Sequence, residues 1–519
     1  MTNDNTSLAD TIYALSSAPG KAGVSVIRVS GPKSWDTLKI FNKNVNVPKA
    51  RHSFVMTLNN PDTSEPIDSA MIVAFQGPQS FTGEDVVEYH CHGSQAVLTE
   101  VFDVLSKIEG CRMADHGEYT RRAFENDKMD LTEAEAIVDL IDAETKAQKD
   151  QAMAQMGGAL ANLYNGWAED LKKILAYVEA VIDFPDEEVP DDEIQKVLPK
   201  LKELETKISA HLNDNRQGER LRSGIKIAVI GAPNAGKSTL TNKLAQRDVA
   251  IVSDMAGTTR DVIEVHLNIA GYPVIVADTA GLRPELIGSE GHDAIEGEGM
   301  RRALEYAQNA DIRLLMFDGT ASEIHKDTLI LVDDPDLMKT VDAKQPNIAP
   351  SSIPNPTYNA KPIINVSSSS SEDENSPPDL GSNFASIPSP ADLSVVENIM
   401  IINKTDETYN ADIFEPIIGQ AIEISAKNED GIDQLLVKIA DILKQQFTVS
   451  RETVHLTRNR HRENITSMHQ NIQNAFEISE PELLAQELRF ALYAIGRITG
   501  KIDVEDLLDV IFKDFCIGK

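Results

Sequence analysis

The sequence predicts a multidomain chain of mixed α/β and all-α character. It has an N-terminal α+β domain, a helical domain, and an α/β domain inserted within the helical one. Three observations carry this. Between residues 10 and 127, short apolar runs alternate with turn signals. Helical patterning rich in Ala, Glu and Lys begins at Leu131 and returns after about residue 450. Between those stretches, "IKIAVI" (225–230) runs into "GAPNAGKS" (231–238) and "TLTNKLA", a strand, a loop and a helix in succession. A chain of 519 residues accommodates about three domains at roughly 100–200 residues each.

Taken in order, "GVSVIRVSG" and "SAMIVAF" read as strands. "SQAVLTEVFDVLSKI" reads as a helix with Val97, Val101, Leu105 and Ile108 on one face. The helical pattern from Leu131 to Ile182 stops at "DFPDEEVPDDE", read as a solvated turn around Pro185 and Pro190. It resumes through "LPKLKELETKISAHL". Residues 346–390 hold nine Pro and eleven Ser. Such a composition buries too little apolar surface to offset its ordering entropy. Residues from about 321 to 392 are therefore expected to be a disordered acidic insertion, read as a tolerated surface loop. The domain boundaries follow as 1–127, 128–222, 223–445 and 446–519.

The chain carries 49 basic and 82 acidic residues, a net charge of −33, which argues against broad binding to a phosphate backbone. Cys91, Cys111 and Cys516 are too few for a disulfide framework. No run of about 18 apolar residues is present, and "MTNDNTSLAD" has no basic or apolar leader character. A cytoplasmic protein with no membrane contact is expected. His90, Cys91 and His92 do not make a metal site, because strand alternation sends Cys91 to the opposite face. Cys516 stands four residues from the end in "DFCIGK", the spacing of a prenylation box, but Gly518 and Lys519 suit such a box poorly.

The middle carries the chemistry. In "GAPNAGKS", Gly231 and Gly236 permit tight turns whose N–H groups face phosphate oxygens, and the helix start adds its dipole. Lys237 is placed for the terminal phosphates and Ser238 for magnesium, with Asn234, Ala235 and Thr239 completing the loop. "DTAG" (Asp278, Thr279, Ala280, Gly281) closes the strand-like "YPVIVAD"; Asp278 supports the metal and the Gly281 amide senses the γ-phosphate. "NKTD" follows "NIMII", and the Asp406 carboxylate matches the N1–H and amino donors of guanine, with Asn403 supplying an amide and Lys404 between them. "SAK" (Ser425, Ala426, Lys427) offers backbone to the guanine O6. Four elements in this order, each at a strand end, predict a Ras-like P-loop GTPase domain. Thr259 in "AIVSDMAGTTRD" is the switch threonine for magnesium. The position after the Gly281 glycine holds Leu282, which cannot orient a water, so another group must. Asn234 suits a cation ligand and equally suits a generic loop.

The chain resembles the MnmE (TrmE) family of tRNA-modification GTPases. The resemblance rests on "DTIYALSSAPGKAGVSVIRVSG", "SFTGEDVVEYH", "YTRRAFENDKMDLTEAEAIVDLIDAET", "DFPDEE", "PNAGKS", "AGTTRD", "DTAGLR" and the closing "FCIGK". It implies an N-terminal folate-binding and homodimerising domain, a helical domain, and the inserted G domain. It also implies a flavin-dependent MnmG-type partner in a heterotetramer. Together these install a carboxymethylaminomethyl group at C5 of the wobble uridine of certain tRNAs. The one-carbon unit comes from a tetrahydrofolate derivative, in the 5-formyl or 5,10-methylene form. Arg28, Glu88, Lys128 and Lys519 match folate contacts. Potassium would sit at Asn234, Ser253, Met255 and Thr258, with Asp254, Ala256 and Gly257 in the same nucleotide-binding loop. Glu296 matches the water-orienting glutamate, with Glu298 as the alternative, and Cys516 becomes a catalytic thiol. The tRNA is expected to be held by the partner and by basic residues of "RETVHLTRNRHR". The insertion and "YHCHG" depart from the family pattern. The other readings are a ribosome-assembly or translational GTPase switch, and a small-molecule one-carbon transferase regulated by its G domain.

Overall fold

In a computed structural model of the chain, the described residues are 10–46, 49–183, 192–247, 249–251, 263–278, 306–324, 328, 396–447, 454–502, 505–513 and 515–518. The turn at Pro185 and Pro190 lies outside them. So do nearly all of the acidic Ser/Pro insertion, residues 252–262, residues 279–305, and Lys519. The chain divides into two units: Met1–Arg222 with Val449–Lys519, and Ser223–Thr448.

The first unit opens with six strands: β1 (Thr11–Leu15), β2 (Ala22–Ser30), β3 (Ser53–Asn59), β4 (Pro66–Phe75), β5 (Val86–Gly93) and β6 (Cys111–Met113). They form one sheet in the order β3-β4-β5-β2-β1-β6, antiparallel except where β1 meets β6. Alternation sorts β2. Ile27 and Val29 face a core closed by helices α1 (Asp36–Phe41) and α2 (Gln95–Ser106). Arg28 turns to the opposite face. There α3 (Glu118–Glu125) covers β1 and reaches β2, with Tyr119 packed on Ile12 and Ala14 and its hydroxyl donating to Arg28 O. Farther along that face Val55 and Met71 stand directly opposite each other and are exposed.

The expected long helical run is broken into α4 (Leu131–Ile141), α5 (Lys146–Met156) and α6 (Ala159–Asp183). The breaks are written locally. Asp130 with Glu133, and Thr145 with Gln148, form reciprocal capping boxes that start α4 and α5. Next come α7 (Asp192–Leu212), which starts seven residues before its Pro199, and α8 (Gln217–Ser223).

The second unit is a six-stranded sheet. Its elements are β7 (Ile225–Gly231), α9 (Lys237–Ala245), β8 (Ile263–Ile269), β9 (Tyr272–Asp278), β10 (Ile312–Asp318), β11 (Glu397–Asn403), α10 (Ala411–Ile418), β12 (Ile422–Glu423) and α11 (Ile432–Gln446). The order is β12-β11-β10-β7-β9-β8, parallel except for the edge strand β8. The near-continuous apolar runs of β7, β10 and β11 are those of strands buried on both faces.

The chain then returns to the first unit as α12 (Asn459–Glu477), α13 (Pro481–Thr499) and α14 (Glu505–Lys513). α6, α7, α12 and α13 share one core, with Leu171, Ile208, Met468 and Leu488 at its centre. The basic segment read as RNA-facing turns inward instead. Arg458 and Arg460 meet the buried Glu135 of α4, and Arg462 meets Asp214 and Glu219. Their charge is neutralised by carboxylates inside the unit.

Burial also sets the protonation of three histidines near this segment. Burial drives His211 down to about 4, and it lowers His455 and His461 as well, against the pull of Asp214 and Glu135. These rings are neutral when folded and would charge near pH 6.5 when unfolded. Stability is therefore at its plateau above pH 6.5 and falls as pH drops towards 4. His211 alone accounts for roughly 3 kcal/mol of this, taking its folded value as about 4. Melting temperature measured against pH should show the decline, and His211→Gln should flatten it.

Candidate functional site

The nucleotide motifs gather at one edge of the parallel sheet. Gly231 ends β7, Asp278 ends β9, Asp318 ends β10 and Asn403 ends β11. The registers Gly231↔Met316 and Asp318↔Asn403 bring these carboxyl ends to the same edge, staggered by two residues between β7 and β10, where open α/β sheets bind their ligands. Residues 232–236 loop from β7 into α9. Asn234 takes a left-handed backbone with φ 65° and is exposed. Ala235 is buried, while Ser238 and Thr239 are exposed in the first turn of α9. Lys237 is buried, and its ammonium donates to the carbonyls of Gly231 (2.7 Å) and Ala232 (2.9 Å).

Asn403 joins three of the motifs. Its amide nitrogen donates to Ala235 O at 2.8 Å, and its amide oxygen accepts from Ala426 N at 2.9 Å. Its amide therefore fastens the phosphate loop and the "SAK" loop to the end of β11. The exposed group of "NKTD" is Asp406, two residues past Lys404. Lys404 is held by Asp318 at 2.6 Å. Asp318 was not singled out in the sequence; its signal is the end of an apolar strand run in "MFDGT". Ser425 is buried and accepts from Asn428 N, and Lys427 is exposed. Gly236 has φ 98°, and a Cβ there would lie 2.1 Å from Asn403 Nδ2. No side chain fits between the loop and its strut.

Of the predicted magnesium and potassium ligands, Ser238 and Asn234 are described. Ser253, Met255, Thr258 and Thr259 lie outside the described residues, as do Asp254, Ala256 and Gly257. Thr279, Ala280, Gly281, Glu296 and Glu298 also lie outside, and of Asp278 only the backbone is described.

A second group gathers on the sheet of the first unit. Arg28 and Glu88 are register partners on β2 and β5 and form an ion pair at 3.0 Å. The guanidinium stacks between Phe81 and Tyr119, each ring centroid 5.5 Å away. His90 approaches Glu88 at 3.4 Å. Lys128 is exposed and donates to Pro78 O at 2.8 Å, on the loop that carries Phe81. The structure thus brings Arg28, Glu88 and Lys128 to one loop. Phe81 belongs to "SFTGEDVVEY", where an aromatic between turn residues is its signal.

The tail is seated on the same domain. Ser16 donates to Gly518 O at 2.9 Å, the His116 ring bonds Phe515 O at 2.9 Å, and His116 bridges Ile517. Gly518 has φ 96°, with Leu15 O 2.0 Å from where a Cβ would stand. Both flanks of Cys516 are fixed while Cys516 itself is exposed. Cys91 is buried, which pushes its thiol up to about 12, so it is not reactive.

A mostly parallel sheet with the "GAPNAGKS" loop after its first strand and the "NKTD" loop after another is the fold of a P-loop GTPase. The family profile described as "MnmE helical domain" matches residues 131–516, and "GTP-binding protein TrmE N-terminus" matches residues 11–128. The chain is 44% identical over 515 residues to the "tRNA modification GTPase MnmE" of Parvibaculum lavamentivorans, covering 98% of this chain and 100% of that one. It is 41% identical to the proteins of that name from Rickettsia bellii, over 513 residues, and Rickettsia rickettsii, over 514, with the same coverage. The chain belongs to the MnmE family of tRNA modification GTPases.

Asn403→Ala would leave the Ala235 carbonyl and the Ala426 N–H without this partner, at a cost of about 2–4 kcal/mol. Nucleotide affinity, read by titration with a fluorescent GTP analogue, should fall about five- to thirtyfold with half of that cost felt at the site. Affinity equal to that of the unmodified chain would show that the strut is dispensable.

Proposed function

We propose that the chain hydrolyses GTP to drive a cycle that gates chemistry on the wobble uridine of certain tRNAs. With a flavin-dependent MnmG-type partner it adds a carboxymethylaminomethyl group at C5. It works in the cytoplasm as a homodimer within a heterotetramer. The observation that carries this reading is the seating of the "FCIGK" tail on the domain that holds Arg28 and Glu88. That arrangement exposes a thiol on the same domain as a site suited to a folate.

The residues fit such a ligand. Arg28 and Glu88 together offer donors and acceptors to a pterin edge, and Phe81 supplies an aromatic face. Lys128 reaches the same loop, with terminal Lys519 as a further contact. A tetrahydrofolate derivative bound there would supply the one-carbon unit. Cys516 presents a thiol to the reaction, with its backbone held at Phe515 and Gly518. The open face carrying Val55 and Met71 supports the homodimer reading, since a second copy would cover it.

In the second unit, Lys237 and the loop N–H groups bind the phosphates, Ser238 with Thr259 takes magnesium, and Asp406 reads guanine. Asn234, Ser253, Met255 and Thr258 take potassium, whose charge stands in for an arginine finger. Glu296 orients the attacking water where Leu282 cannot. The domains run 1–127, 128–222, 223–445 and 446–519.

Loss of the gene should remove the wobble-uridine modification in nucleoside analysis of tRNA, and the intact chain should restore it. Cys516→Ser should fail to restore it while hydrolysing GTP at the normal rate; full restoration would remove the thiol from the mechanism. GTP turnover should rise at least about tenfold when potassium replaces sodium, short of the roughly 10³–10⁵-fold that an arginine finger supplies. Indifference to the cation would refute the potassium site.

A further inference from the structure

We infer that α4 couples the nucleotide-binding unit to the C-terminal tail, with Asp139 and Glu135 as the positioning residues. The inference rests on the reading of the tail as part of the reaction centre. Both covalent crossings between the units converge on this helix. The outbound crossing is α8, ending at Arg222 and Ser223; the inbound one enters the described residues as the segment 454–462. Asp139 takes Arg222 Nε and Arg458 Nη2, both at 2.8 Å, one from each crossing. One turn earlier, the buried Glu135 holds Arg460 at 3.1 Å and His461 at 2.8 Å, both on the inbound side. The crossings are also fixed to each other. Arg462 donates to Glu219 and Asp214 at 2.7 Å, and Gly218 lies so close to Leu456 that a Cβ would stand 2.3 Å from its carbonyl oxygen.

The adjacent face of α4 meets the tail. Leu131 and Ala134 form one buried cluster with Leu508, Phe512 and Phe515, and Val138 packs on it. Phe515 precedes Cys516. Ahead of α4, its N-cap Asp130 stands two residues from Lys128. Eleven residues of helix span about 16 Å, and a helix is stiff over that distance. A shift of either crossing moves the carboxylates of Asp139 and Glu135, and the same rigid body carries Leu131 against Phe515. Charge-assisted bonds at one face and apolar packing at the other make α4 a lever rather than a spacer.

Hydrogen–deuterium exchange on the full chain tests this. Amides of residues 508–518 would be followed with and without guanosine 5′-(β,γ-imido)triphosphate, in magnesium and potassium. In the unmodified chain the nucleotide should change tail exchange by about fivefold or more, the lower end of usual coupling between sites. In Asp139→Asn that response should vanish while GTP turnover stays as before, even where the lost pairs lower the melting temperature. Arg222→Gln, at a partly exposed position, removes the outbound arm of the clamp and should act alike if Asp139→Asn proves unstable. A tail that ignores the nucleotide in the unmodified chain overturns the inference. So does a variant that responds as the unmodified chain does. Because the readout is exchange, it is separate from the role of the thiol. Failure of Cys516→Ser to affect modification would sink the reading of the tail and leave the coupling standing.

Discussion

The buried carboxylate of Glu135 is the interaction on which the first unit depends. The unit is interrupted from Ser223 to Thr448 and must be completed by helices that follow the interruption. Long-range closure costs chain entropy that local helix formation cannot offset. Glu135 supplies a specific point of closure. Burial opposes its charge, but His461, Arg460 and Arg458 outweigh that and hold its carboxyl far below the ordinary range. Removing one partner of such a buried group costs about 3–5 kcal/mol. His461 donates from Nε2 to Glu135 as a neutral ring, and Nδ1 is left as a lone pair without a hydrogen-bond partner. An unpaired acceptor is better tolerated than an unpaired N–H.

The nucleotide site answers to a different constraint. Parallel strands buried on both faces leave their carboxyl ends as the place where loops converge. Four loops meeting there must keep fixed spacing to read one ligand. Asn403 does this with a single amide that donates to one loop and accepts from another. The left-handed Gly236 leaves room for it. An ordered series of motifs in the sequence thus becomes a set of hydrogen bonds converging on one side chain.

The strand-ending motifs were legible because each is short, local and tied to a backbone requirement. "YPVIVAD" coincides with β9 residue for residue, and "GVSVIRVSG" is offset from β2 by one. The capping box at Thr145 that separates α5 from α4 was equally local, but Ala-rich composition masked it. Non-local pairings were not legible. Nothing in "RETVHLTRNRHR" announces that its arginines meet carboxylates more than two hundred residues away. Surface charge and buried charge look alike until the partners are placed. The stacking of Arg28 between Phe81 and Tyr119 is of the same kind, set by a loop, a strand and a helix from three places in the chain.

Those inward arginines bear on how an acidic protein handles RNA. A net charge of −33 repels a polyanion at long range. The segment that carries most local positive charge spends it on Glu135, Asp139, Asp214 and Glu219. Phosphate binding by Arg458, Arg460 or Arg462 would require breaking pairs that close the fold, so affinity for the backbone of a tRNA cannot rest there.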